Sequence, residues 1–201
     1  MFRSRAEKKV RDAGFEPGRL PPGQYLTDKW PVLHAGSVPH VELATWRFRI
    51  TGEVEQEVEL TWRELNELPR TGNVQDIHWV TRWSRFDAGF EGVHWRELAK
   101  LCRPKETARF AIAQAEHDFT ANVPLSFIED DAALLATHAD GEPLTPDHGW
   151  PVRLFVPSKY FWKSAKWLTG LELSAVDRPG FWERYGYHND ADYRQEQRYG
   201  F

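Results

Sequence analysis

Short apolar runs, broken at close intervals by Gly, Pro and Asp, constrain this chain more than any other feature. Trp46-Arg-Phe-Arg-Ile50 alternates apolar and polar side chains, the period of two that marks a half-buried strand. Gly52 turns the chain, and Val54, Val58 and Leu60 predict a second strand. Further strands are predicted over 74–83 and at Phe110–Ala113, Phe119–Val123, Leu134–Leu135, Val152–Val156 and Trp167–Leu173, with a turn at Asp140-Gly141. Helices are short. Thr61-Trp-Arg-Glu64 has the spacing of a capping box opening a helix that ends near Leu68, Ser126-Phe-Ile-Glu129 repeats that spacing, and another helix runs from Trp95 to Leu101. Helices do not follow every strand, which argues against a doubly wound sheet and for an α+β fold of mixed or antiparallel sheets with long loops.

Both ends read as arms. Residues 1–30 carry charges and then Pro21-Pro22-Gly23-Gln24, so this segment is expected to be irregular, packed on the body through Leu20, Tyr25, Leu26 and Trp30. The body covers 31–175. The tail, 176–201, is polar and aromatic without a period, and its aromatic anchors are expected to wrap its own domain rather than a second protomer. Oligomeric state cannot be read from the sequence. The charged start has no apolar segment behind it, and no apolar run approaches the ~20 residues of a membrane span, so the expected compartment is the cytoplasm.

Composition narrows the chemistry. Lys and Arg total 26 against 30 Asp and Glu, a net charge of −4, without the basic surplus of a dedicated nucleic-acid binder. A single Cys excludes an intrachain disulfide framework and any cluster built on several cysteines. That residue, Cys102, falls at the end of a predicted helix and reads as a packing residue. The eight His residues are scattered; His34 with His40, or His138 with His148, have no spacing that forces them together. No nucleophile elbow, phosphate-binding Gly loop, His-Glu-x-x-His zinc motif or Cys-x-x-Cys-His haem attachment is present. One cluster stands out. His148-Gly-Trp-Pro-Val-Arg153 leads into a strand, and Tyr160-Phe-Trp-Lys-Ser-Ala-Lys-Trp167 follows. Cations and a hydroxyl interleaved with flat rings suit an anion attached to a ring system; a solvated cationic strand edge over core Trp fits the same pattern.

The chain resembles the molybdopterin-binding domain of the sulfite oxidase superfamily, in particular its small bacterial members. The ordered matches are Leu20-Pro-Pro-Gly-Gln24 with Pro31-Val-Leu-His-Ala-Gly-Ser-Val-Pro39, Asp76-Ile-His-Trp-Val-Thr-Arg-Trp-Ser84 with Phe90-Glu-Gly-Val93, the cluster at 148–167, and Pro179-Gly-Phe-Trp-Glu183 with Gly186-Tyr-His188. The resemblance implies an α+β domain carrying molybdenum on a molybdopterin, oxygen-atom transfer on a small oxyanion or oxide, and a separate electron acceptor such as a cytochrome or haem subunit. It implies pterin contacts at His34, Ala35, Gly36, His78 and Gln114, and contacts to pterin and phosphate at His148, Arg153, Ser164, Ala165 and Lys166. Lys163 falls where sulfite oxidases carry an Arg for the substrate anion.

One departure outweighs the matches. Where the family has the Cys whose thiolate ligates molybdenum, this chain has Trp79, and an indole N–H only donates. Phe161 stands where the family usually has Gly. Two readings stay open: an oxidoreductase with a modified metal site, or a catalytically inactive member that keeps the fold and an anion or pterin site without molybdenum.

Overall fold

The computed structural model describes residues 2–200, with side chains from residue 5 onward. In chain order the strands are β1 (Tyr25–Leu26), β2 (Arg47–Gly52), β3 (Val58–Thr61), β4 (Arg70–His78), β5 (Trp83–Val93), β6 (Phe110–Ala115), β7 (Phe119–Pro124), β8 (Leu134–Ala139), β9 (Glu142–Pro143), β10 (Arg153–Phe155) and β11 (Leu168–Ser174). The helices are α1 (Phe2–Asp12), α2 (Trp62–Glu67), α3 (Trp95–Cys102), α4 (Leu125–Glu129) and α5 (Phe181–Arg184). One sheet has the order β3-β2-β11-β6-β7; the other runs β1-β5-β8-β10, with β4 on β5 and β9 on β8. Each sheet mixes one parallel pairing, β2 with β11 or β1 with β5, with antiparallel ones. The architecture is α+β, as the strand pattern predicts.

Side-chain alternation divides the larger sheet between two cores. Val93, Leu135 and Leu154 face the smaller sheet and meet Phe48, Ile50, Ala111, Ala113 and Leu171. Their neighbours Phe90, Leu134, Ala136 and Phe155 face the other way and build a second cluster with Ile77, Trp83 and Phe161. Burial on both faces explains why Leu134-Leu135-Ala136 reads as a continuous apolar run. Where β5 passes β8, a Cβ on Gly92 would lie 2.0 Å from the Leu135 carbonyl oxygen, so that position admits no side chain.

The capping box forms: the Glu64 amide donates to Thr61 Oγ1 at 3.2 Å and the Thr61 amide to Glu64 Oε2 at 2.8 Å. Three other local expectations need correction. Residues 2–12 are helical rather than irregular, and Val10 packs with Leu26 and Phe86. Ser126 caps nothing, because α4 begins at Leu125 behind Pro124 and has no side-chain cap. The strand predicted over 74–83 is two strands of a hairpin: the Trp79 amide donates to the Trp83 carbonyl at 3.0 Å, the Arg82 amide returns to Trp79 at 2.9 Å, and Arg82 has φ 76°. Gly89, Gly92 and Asp87 hid β5, since such residues are depleted in strands. The C-terminal segment folds back on its own chain, where Ala191 and Tyr193 pack on Val80, Tyr160 and Trp162. Among the described residues no helix is long and apolar enough to cross a membrane.

Candidate functional site

The hairpin turn sets the first wall of a cleft. His78 ends β4 and Trp79 follows it into the turn, and their side chains go to different sides. His78 goes to the back, where Nδ1 meets Ser84 Oγ at 2.8 Å and the ring lies 4.1 Å from Tyr193. Burial pushes its pKa down to about 4, so it is neutral at ordinary pH. Trp79 goes to the front, parallel to Trp83 with ring centroids 6.0 Å apart and edge-on to Phe161 at 5.9 Å. Phe161 sits on a single 3-10 turn, Phe161–Lys163, that follows β10. The loop carrying Leu33, His34 and Ala35 faces this pair, and Ser164, Ala165, Lys166 and Trp167 close the far side, with Glu116 at the rim. The space between them is about 40 Å³.

Arg153 opens β10 beside this cleft and is wholly buried. Its Nη1 donates to the His148 carbonyl at 3.0 Å and its Nη2 to the Ser164 carbonyl at 2.8 Å, while its Nε–H has no acceptor. No acidic side chain among the described residues pairs with it. Its guanidinium lies 4.1 Å over the Phe161 ring, with Trp30 at 5.7 Å. Burial alone pushes its pKa down to about 9. Lys166 donates to the Asp147 carbonyl at 2.6 Å; burial and then the Arg153 charge push its pKa down to about 7, against a smaller opposing pull from Asp147. His148 stacks on Trp30 at 4.0 Å. Its Nε2–H donates to the Trp30 carbonyl at 3.3 Å, which leaves Nδ1 to accept from Thr145 at 2.8 Å, and burial lowers its pKa. At Gly149 a Cβ would meet Lys166 and Arg153 atoms at 3.1–3.2 Å, so this glycine lets the two cationic segments approach.

The structure thus brings His34, Ala35, Ser164, Ala165 and Lys166 to one cleft, with His148 and Arg153 behind it. Gly36 is in the same loop, at φ 76°, and its carbonyl meets His34 Nδ1 at 2.9 Å. Three other candidates lie elsewhere. His78 packs on Ser84 and Tyr193, away from the cleft. Gln114 sits on β6 with its amide 3.5 Å from Glu172, outside the cleft. Lys163 is not free to meet a substrate anion: its Nζ is buried against Glu183 at 2.6 Å, the Asn122 carbonyl at 2.8 Å and Asn122 Oδ1 at 2.9 Å. Trp30, Asn122 and Glu183 escaped the sequence reading as parts of this network. No local signal marks them, because Trp30 meets His148 across 118 positions.

A family model described as the oxidoreductase molybdopterin binding domain matches residues 35–182. The chain belongs to this family. An uncharacterized oxidoreductase of Bacillus subtilis, YuiH, is 43% identical over 185 residues, covering 92% of this chain and 93% of that protein. The protein-methionine-sulfoxide reductase catalytic subunit MsrP of Campylobacter jejuni is 26% identical, covering 81% of this chain and 59% of that protein. The sulfane dehydrogenase SoxCD of Paracoccus pantotrophus has the same fold, with a TM-score of 0.67 at 21% identity, over 76% of this chain and 43% of that one. The family is one of molybdopterin oxidoreductases.

The side chains present suit one end of the family's cofactor and not the other. A buried guanidinium with an unsatisfied Nε–H beside Lys166 suits a phosphate. The cleft offers no thiolate: Cys102 is buried in the core on α3, its thiol pushed up to about 11 by burial. Among the described residues no cluster of three or more His, Cys, Asp or Glu could hold a metal ion. The space of about 40 Å³ falls far below the ~300 Å³ or more of ordinary ligand sites. The metal end does not fit the cleft as these residues form it, and a pterin ring enters only where a side chain moves aside.

Proposed function

We propose that this chain is a binding member of the molybdopterin oxidoreductase family, one that grips a phosphate-bearing planar molecule of the pterin class and performs no turnover at molybdenum. The observation that carries this reading is Arg153: a fully buried cation with no carboxylate and one unused N–H, set next to Lys166. Isolated buried charges are costly, so a cation kept in such a place signals an anion that meets it when bound. The flat faces of Trp30, Trp79 and Trp167 around it suit a ring attached to that anion. The other reading, oxygen-atom transfer with electrons passed to a separate haem-bearing acceptor, needs a metal ligand in place of a thiolate; the cleft lining has no Cys, and its His34 and Glu116 belong to no cluster of three metal-binding side chains among the described residues.

The test is to express the chain in a host that makes the cofactor, then measure molybdenum per chain and the affinity for metal-free molybdopterin by calorimetry. We expect no stoichiometric metal, measurable pterin binding, and weakened binding in Lys166→Met. Stoichiometric molybdenum overturns the proposal, and so does absence of pterin binding.

A further inference from the structure

The ring of Phe161 lies where a counter-group for Arg153 is wanted. Its face is 4.1 Å from the guanidinium carbon, and the ring is all but sealed from solvent among Phe155, Trp30 and Trp79. Besides two backbone carbonyls, the described residues give this cation two aromatic faces, Phe161 at 4.1 Å and the more distant Trp30 at 5.7 Å. The turn that carries Phe161 runs directly into Ser164, whose carbonyl holds the guanidinium and whose Oγ accepts from the Val156 amide at 3.0 Å. The ring and the anion cradle therefore sit on one short, uncapped segment.

We infer that the Phe161 ring is the internal occupant of the anion cradle, and that an incoming anion must displace it. This rests on the reading above, that the cradle takes phosphate, and adds how the same site is held shut. The ring partly neutralises Arg153 while the cleft is empty and fills the volume next to Trp79. Binding exchanges the cation–ring contact for a charge-assisted hydrogen bond to the free Nε–H, so the affinity measured from outside is the cradle's own, reduced by the work of moving the ring.

Calorimetric titration of inorganic phosphate into the full chain and its Phe161→Leu and Phe161→Ala variants tests this, with folding of each checked by thermal unfolding. Leu keeps bulk and removes the ring's quadrupole; Ala removes both. Affinity is expected to rise from wild type to Leu to Ala, by about ten-fold overall. If Ala does not fold, the Leu variant decides alone. Equal affinity in the folded proteins overturns the displacement while leaving the cradle in place. Binding by none of them, with Phe161→Leu folded, overturns the cradle itself and the inference with it.

Discussion

Lys163 Nζ meets Glu183 Oε1 at 2.6 Å with the two side chains only 2% and 3% exposed. Trp162 donates to the same carboxylate oxygen at 3.0 Å, and Asn122 Oδ1 accepts from both Lys163 Nζ and the Gly180 amide. This buried pair ties the 3-10 turn that carries Phe161 to α5 at the start of the C-terminal segment. Removing one partner leaves an uncompensated charge out of water. Lys163→Met and Glu183→Gln should each lower unfolding stability by about 3–5 kcal/mol, and the double replacement by less than their sum. Urea unfolding of the three variants checks this; additive losses would show that the pair is not a unit.

Adding a thiol at position 79 should not by itself bring in metal. Trp79→Cys supplies a thiol at the hairpin turn but leaves Phe161 next to it and over Arg153. We expect Trp79→Cys to come from a cofactor-making host without stoichiometric molybdenum, and Trp79→Cys with Phe161→Gly to gain it. Metal analysis reads the outcome, and loading of the single variant would show that the want of a thiolate at position 79 is the whole barrier.

Anion binding should weaken as pH rises through about 7. Burial and Arg153 hold Lys166 near that value, far below its ordinary one, and a bound anion raises it by pairing with the charged form. Binding therefore takes up a proton above pH 7, and affinity falls there. Sulfate is the suitable probe, since its own charge is constant. A sulfate affinity flat from pH 6.5 to about 9 would remove Lys166 from the site.

His78 should make the protein acid-labile. Its folded pKa, about 4, lies below its ordinary value of 6.5, so the unfolded chain binds the extra proton between them. Stability is expected to decline as pH falls from 6.5 towards 4. His78→Asn should flatten that decline, as followed by the urea midpoint at several pH values.

Gly92→Ala should cost about 3 kcal/mol, since the added methyl runs into the backbone of β8 rather than into a side chain that could turn aside. Thermal unfolding of the variant measures it.

Residue order alone was enough to mark the α+β class, the capping box at Thr61 and Glu64, and the absence of sulfur at position 79. These are local facts: alternation, capping and side-chain chemistry act over a few residues. The anion cluster at 148–167 was also visible, because its cations and rings are neighbours in sequence. What the sequence left open was which of those cations is free. Arg153, Lys163 and Lys166 look alike in a list of residues. Only tertiary packing sends Lys163 onto Glu183 and Asn122, leaves Arg153 with no acid, and lays Phe161 over it. Trp79 and His78 are likewise adjacent in the chain, yet the turn that follows β4 puts one in the cleft and the other against Ser84. Chemical capacity belongs to each residue by itself; burial and counter-charge belong to its neighbours in space, and those are set by contacts between segments more than a hundred positions apart, as with Trp30 and His148.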